Sequence, residues 1–314
     1  MNGGNITKVT EILLLGFKNV QKLRGPLFVL LLLVYCVTVC VNILIIILVS
    51  TSKSLHSPMY FFLSQLSLAD ILLTTDIIPI VLVSVLNDGL VMSFTGCITQ
   101  FYVFGGSESS ECFILTIMAY DRYLAICNPL RYTLMMNFTI CLKSVLCSWF
   151  LSFSFILVTT LMLSALEYCG PNVIDHFFCD FAPILELSCS ETSAVQLEVV
   201  LLSIPVMIFP LIIIMVSYGC IVMAILQLPS HIDRWKSFST CSSHLTVVCI
   251  FYGTLIVIYI LPTKGFSLSI SKVIAVLYTM VTPMLNPLIY SLKNKDIKCA
   301  IENFSKIWAH RPLY

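Results

Sequence analysis

The residues of this chain that could do chemistry are mostly charges set inside apolar runs. In ECFILTIMAYDRYLAICNPLRY, Glu111 to Tyr132, an apolar helical pattern runs into Asp121, Arg122 and Tyr123, continues for one apolar turn and stops at Asn128-Pro129. A guanidinium at the edge of a hydrophobic run snorkels to the interface or pairs, and Asp121 is the adjacent partner. Two readings stand. The pair marks where a membrane helix meets the cytoplasm, or it is a switch in which Arg122 is held in one state and released to a partner protein in another. Asp70 and Asp76 lie in a second apolar run, and Glu108 and Glu111 share one helical face at i, i+3. An unpaired ionised carboxylate near a membrane-helix centre costs about 2.5 to 3.5 kcal/mol, so such acids need companions. Two that share a cavity either share a proton or hold a cation.

Enzyme-like constellations fail on geometry. Ser243 and His244 are adjacent, and neighbours on a helix point about 100 degrees apart, so they cannot pass a proton; His244 reads as a structural hydrogen-bonding group. His176 and Asp180 flank Cys179, as in a zinc site, yet a disulfide there would consume the thiolate that zinc prefers. Neither H-E-x-x-H nor G-x-S-x-G occurs. No enzyme is expected.

The elements that must position these groups follow from composition. Of 314 residues, 59% are hydrophobic and 11% charged, with a mean hydropathy of +1.00, which is a membrane protein and not a soluble domain. A net charge of +1 without a basic stripe gives no case for nucleic acid. Apolar runs long enough to cross about 30 Å of hydrocarbon fall near 26–49, 58–86, 97–127, 141–165, 195–227, 237–262 and 273–292. Seven spans put the termini on opposite sides. Lys53, Arg122, Arg131, Lys143, Arg234, Lys236, Lys293, Lys295 and Lys298 share one side while the 166–194 loop is acidic, so the tail is inside and the N-terminus outside. Lys8, Lys18, Lys22 and Arg24 dissent. The expected organisation is an outer segment 1–25, a bundle 26–292 and an inner tail 293–314 with an amphipathic, membrane-surface helix in NKDIKCAIENF. Asn5 is a glycosylation acceptor on the outer side; the sequons at Asn137 and Asn303 fall inside. Cys97, Cys169, Cys179 and Cys189 are the four of 14 cysteines expected on the oxidising side, and four allow three connectivities.

MAYDRYLAICNPLRY resembles the third-helix end of olfactory receptors, a family within the rhodopsin-like G-protein-coupled receptors, here of the tetrapod type. LHSPMYFFLSQLSLAD from Leu55, SYGCIVMAIL from Ser217, KSFSTCSSHLTVV from Lys236 and PMLNPLIYSLKNKDIK from Pro283 agree in order, so the resemblance runs from the first inner loop to the tail. It implies an all-α seven-transmembrane bundle in the plasma membrane, and cilia of olfactory neurons as its place. It implies a small volatile odorant as ligand and a stimulatory heterotrimeric G protein as partner, with membrane lipid around it. It pairs Cys97 with Cys179 and leaves Cys169 with Cys189. It makes Asp121, Arg122, Tyr123, Tyr218, His244, Asn286, Pro287 and Tyr290 the activation machinery, with Tyr218 and Tyr290 swinging toward Arg122. It places Glu111 beside Asp70, with Ser67, Ser110 and Asn286 near, and a sodium ion as an occupant; a protonated carboxyl is the alternative.

The resemblance also implies an outer-half pocket walled by Phe104, Gly105, Glu108, Ser109, Cys112, Ser203, Met207, Tyr252, Leu255, Tyr259 and Thr279. Such a wall suits a weakly polar molecule held by area burial and one or two hydrogen bonds. Glu108 departs from the family pattern. It either contacts a basic or hydrogen-bond-donating ligand, or stays neutral and bonds Ser109, Ser110 or Tyr252. Two other functions compete: a non-olfactory receptor on the same scaffold, though not a retinal opsin, for want of a mid-span lysine in the seventh run, and an ion-coupled transporter, though no internal repeat is visible.

Overall fold

Prolines and polar caps cut the apolar runs into helices. The structure, a computed structural model, describes residues 9–17, 23–169, 171–260 and 268–309. Helix α1 spans Arg24–Thr51, and α2 spans Pro58–Asn87, opened by Pro58 at its first position. Helix α3, Phe94–Cys127, is capped by Ser93, whose hydroxyl accepts the Gly96 N–H at 3.0 Å. A short α4, Pro129–Met135, leads to α5, Phe138–Ser164, capped by Asn137 through the Ile140 N–H at 3.0 Å. Then come α6 (Phe181–Glu186), α7 (Ser193–Ser203), α8 (Phe209–Leu226), α9 (His231–Ile260), α10 (Leu268–Val276), α11 (Thr282–Lys293) and α12 (Lys295–Ala309).

The fifth and seventh expected spans are each interrupted. A π-helical turn at Ile204–Ile208 joins α7 to α8, and another at Leu277–Val281 joins α10 to α11. Pro205 lies in the first and Pro283 just past the second; proline lacks the N–H that closes an α-turn, and the backbone takes the wider pattern instead. The seventh run also starts earlier than the expected 273, at Leu268, which brings Lys272 into the helix.

Among the described residues, five helical stretches are long and apolar enough to cross a membrane: Arg24–Thr51, Pro58–Asn87, Phe138–Ser164, Ser193–Leu226 and Lys272–Ser291, with a shorter apolar stretch at Cys241–Ile256. Helix α3 has the length but carries Glu108, Glu111, Asp121 and Arg122. It is the inner helix, packed against α2, α5, α8 and α9. Its contact with α5 is close enough to need Gly106, where a Cβ would come within 2.6 Å of the Phe153 ring. Large apolar side chains such as Leu33, Leu146, Phe150 and Met215 are instead exposed on the outer helices, the pattern of a bundle made to sit in lipid. Helix α12 lies across the bundle end, with Ile297 and Ala300 in the core and Asp296, Lys298, Cys299 and Glu302 outward.

The opposite end carries a sheet that the sequence reading did not anticipate. Strand β1 (Glu11–Leu14) pairs antiparallel with β2 (Leu90–Ser93) and parallel with β3 (Val173–Ile174). Ile12 and Leu14 are fully buried, in a cluster with Cys97, Ile98 and Phe101. Gly89 turns the chain into β2 at φ 132°, and a Cβ there would sit 2.9 Å from the Leu14 carbonyl oxygen. An Arg24–Asp88 ion pair ties the start of α1 to the end of α2.

Candidate ligand cavity and switch residues

At the α12 end of α3, Asp121 is fully buried and its carboxylate lies 3.1 Å from the Arg122 guanidinium. Tyr132 donates to the other Asp121 oxygen at 2.9 Å, and this contact and burial both push the Tyr132 hydroxyl above its usual range. The acid is thus held between a tyrosine of α4 and its neighbouring cation. The Arg122 Nε has no hydrogen-bond partner among the described residues. Tyr123 faces outward enough to accept from Asn128 Nδ2 at 3.1 Å. Tyr218 of α8 places its hydroxyl 2.6 Å from His244 Nδ1 of α9, the two rings stacked. Tyr290 is buried with its hydroxyl unpartnered among the described residues. Among the described residues neither tyrosine hydroxyl is hydrogen-bonded to Arg122.

Midway along α3, Asp70 of α2 accepts from Asn286 Nδ2 of α11 at 3.0 Å, one residue before Pro287. The Glu111 carboxyl is hydrogen-bonded to Asp70. One oxygen of each, Asp70 Oδ2 and Glu111 Oε1, is buried with no hydrogen-bond partner among the described residues. Asn42 reaches the same region, donating to the Thr38 and Pro283 carbonyls at 3.0 and 3.4 Å, as befits a helix-to-helix bond.

Toward the sheet, a cavity of about 390 Å3 opens between α3, α5 and the α7–α8 run. Of the residues expected there, Phe104, Gly105, Glu108, Ser109, Cys112, Ser203, Met207 and Leu255 line it. Tyr252 lies in the core cluster with Cys112, and Thr279 is buried in the second π-turn, its hydroxyl donating to the Ala275 carbonyl at 2.7 Å; neither is in this lining. The Tyr259 side chain and Asn5 fall outside the described residues. Phe101 of α3, Phe155, Ile156 and Thr159 of α5, Asp180 and Phe181 at the start of α6, and further residues of α7 and the first π-turn also line the cavity. Asp180, which in the sequence stands out only as a flank of Cys179, is the charged member of the wall not expected there. Its neighbour Cys179 is disulfide-bonded, which fixes where the next side chain must go.

The roof is braced. Gln100 of α3 accepts from the Cys179 N–H at 3.0 Å and donates to the Asp76 carbonyl at 3.1 Å, tying the loop to α3 and α2. Lys272 donates to Asp175 Oδ1 at 2.7 Å and to the Gly16 carbonyl at 2.8 Å, so α10 grips both the loop and the N-terminal segment. Between them His176 is buried, stacked on Phe177, and burial with the nearby Lys272 charge pushes its pKa down to about 4. Burial raises the Asp180 carboxyl from its usual range, against the pull of the Phe181 N–H it accepts at 2.7 Å.

A family model described as olfactory receptor matches residues 31–306. Olfactory receptor 11L1 of Homo sapiens is 44% identical over 301 residues, 96% of this chain and 94% of that protein. Olfactory receptor 5AP2 of Mus musculus is 45% identical over 298 residues, 95% and 94% of the two chains. Olfactory receptor 10A7 of Homo sapiens is 43% identical over 298 residues, again 95% and 94%.

The chain belongs to the olfactory receptor family.

As an olfactory receptor it is a multi-pass, G-protein-coupled odorant receptor and not an enzyme. Cys97 is bonded to Cys179, and Cys169 to Cys189, with Cα separations of 5.4 and 6.0 Å. The first of these olfactory-receptor disulfides removes the thiol from the His176–Asp180 neighbourhood, and among the described residues no group of three His, Cys, Asp or Glu is arranged to hold a metal ion. Trp149, to which no role attached in the sequence, donates to Gln65 Oε1 at 3.3 Å and so joins α5 to α2.

Proposed function

We propose that this receptor spans the plasma membrane seven times with its N-terminus outside, takes a small volatile ligand into the cavity beside α3, and raises cyclic AMP through a stimulatory G protein. The observation that carries this reading is that one helix bears both ends of the path. Cys112 on the cavity wall and Arg122 in the held ion pair are ten residues apart on α3, about 15 Å at 1.5 Å per residue. A ligand wedged between α3, α5 and α7–α8 changes how α8 packs on α3 and α9. Tyr218 and His244 sit on those two helices. Cilia of olfactory neurons are the expected place of expression.

A sodium ion fits between Asp70 and Glu111. Their unpartnered oxygens are hard donors of the kind such a cation takes, with the Asn286 amide already holding Asp70 in place. A bound cation would supply the positive charge that lets both acids ionise in the bundle.

Two experiments test the reading. In cells lacking the stimulatory α-subunit, odorant-evoked cyclic AMP should vanish and return when that subunit is restored; a response that persists without it contradicts the coupling. For topology, glycosidase should shorten the wild-type chain and not Asn5→Gln, whereas a glycan on Asn137 or Asn303 would invert the orientation.

A further inference from the structure

The cavity wall has an asymmetry of charge. Its lining contains two carboxyl groups, Glu108 from α3 and Asp180 from the loop, and no Lys, Arg or His. Asp180 is already engaged, since it accepts the Phe181 N–H and a hydrogen bond from the Tyr278 side chain. Glu108 is not used at all: among the described residues its carboxyl has no ion pair and no hydrogen bond, although Ser109 lies beside it in the same wall. It sits deep in the bundle, yet its side chain is not fully buried, because the surface it keeps faces the cavity.

Around these acids the wall is aromatic. Phe101, Phe104, Phe155 and Phe181 all line the cavity, and Phe101 and Phe181 lie with ring centroids 6.4 Å apart. Aromatic faces attract a cation through their quadrupole, and more strongly once water is excluded. A desolvated carboxylate with no protein partner is costly, and an organic cation would offset that cost while its hydrocarbon part fills the apolar remainder. A neutral alcohol of the same size would leave Glu108 without its counter-charge.

We propose that the cavity selects protonated amines, with Glu108 as the ammonium's ion-pair partner and Asp180 as a second negative group that favours cations over neutral or acidic ligands. This rests on the reading of the chain as an odorant receptor and names its ligand class. The volume, about 390 Å3, suits an aliphatic or aromatic amine of modest size. Carboxylic acids would meet two like charges and be rejected.

The test uses the full chain in cells, with cyclic AMP read against matched pairs of primary amines and alcohols of one carbon skeleton, at equal surface expression. Wild type should respond to amines at concentrations at least about 10-fold below the paired alcohols, as expected for a buried ion pair. Glu108→Gln should bring the ratio of amine to alcohol potency to about one, Glu108→Asp should keep most of the preference, and Asp180→Asn should lower it by a smaller factor. Alcohols matching amines in wild type, or a Glu108→Gln variant that keeps the amine preference, would overturn the proposal. Ligand-independent cyclic AMP that depends on Arg122, measured in the same cells, separates the two failures. If it is present while amines are silent, the amine assignment is wrong and the receptor reading stands; if it is absent together with every ligand response, the receptor reading fails and the assignment with it.

Discussion

The Tyr218 hydroxyl of α8 lies 2.6 Å from His244 Nδ1 of α9, so this tyrosine is held by the neighbouring helix. Releasing it costs a buried hydrogen bond. His244→Phe removes that bond and should raise ligand-independent signalling about fivefold, the effect of roughly 1 kcal/mol on the balance of states. Adding Tyr218→Phe in the same background should bring the signal back to or below wild type. Basal cyclic AMP per surface receptor is the measurement, and no change in the single variant would contradict the role.

The Asp121–Arg122 pair, with Tyr132 bonded to the acid, should act as a second brake. Asp121→Asn weakens the hold on the guanidinium and should raise basal activity. Tyr132→Phe removes one bond to a charged acceptor and should produce a smaller rise. A Tyr132→Phe effect larger than that of Asp121→Asn would mean that α4, and not the acid, restrains Arg122.

The roof around His176 should weaken in mild acid. Its pKa falls from 6.5 to about 4 on folding, because burial and then the Lys272 charge disfavour the imidazolium. The unfolded state therefore binds the extra proton between these values, so the stabilisation is complete above about pH 6.5 and is lost as pH falls toward 4. The full loss is about 3 kcal/mol. Thermal unfolding of the purified receptor near neutrality and near pH 5 checks this; His176→Phe should flatten the difference.

How much of this could be read from residues alone depends on range. The apolar helices, the Asp121–Arg122 pair and the acid at Asp70 are legible because each is a local pattern against an apolar background. Strand β1 was not, since four residues of alternation, Glu11 to Leu14, are too short to distinguish from loop until β2 and β3 close on them. Asp180 could not be assigned to the cavity because its position is set by a bond between residues 82 apart, Cys97 and Cys179. The grip of Lys272 on Asp175 and Gly16 depends on a helix that starts at Leu268, earlier than the apolar run near 273–292 suggests.

That long-range bond also gives a prediction. Closing an 82-residue loop lowers the entropy of the unfolded chain by the equivalent of about 4.5 kcal/mol, against about 3.3 kcal/mol for the 20-residue loop of Cys169–Cys189. Cys97→Ser should therefore reduce surface expression more than Cys189→Ser. Equal losses would show that local geometry outweighs loop length.

The account centres on a receptor in which ligand binding frees Arg122 for a G protein. The direct measurement is nucleotide exchange on a purified stimulatory G protein, catalysed by the purified chain in lipid nanodiscs, with and without amine ligand, beside Arg122→Ala. Ligand-dependent exchange by wild type, lost in a variant that still binds the ligand, is the predicted result. Exchange that survives Arg122→Ala undiminished would contradict it.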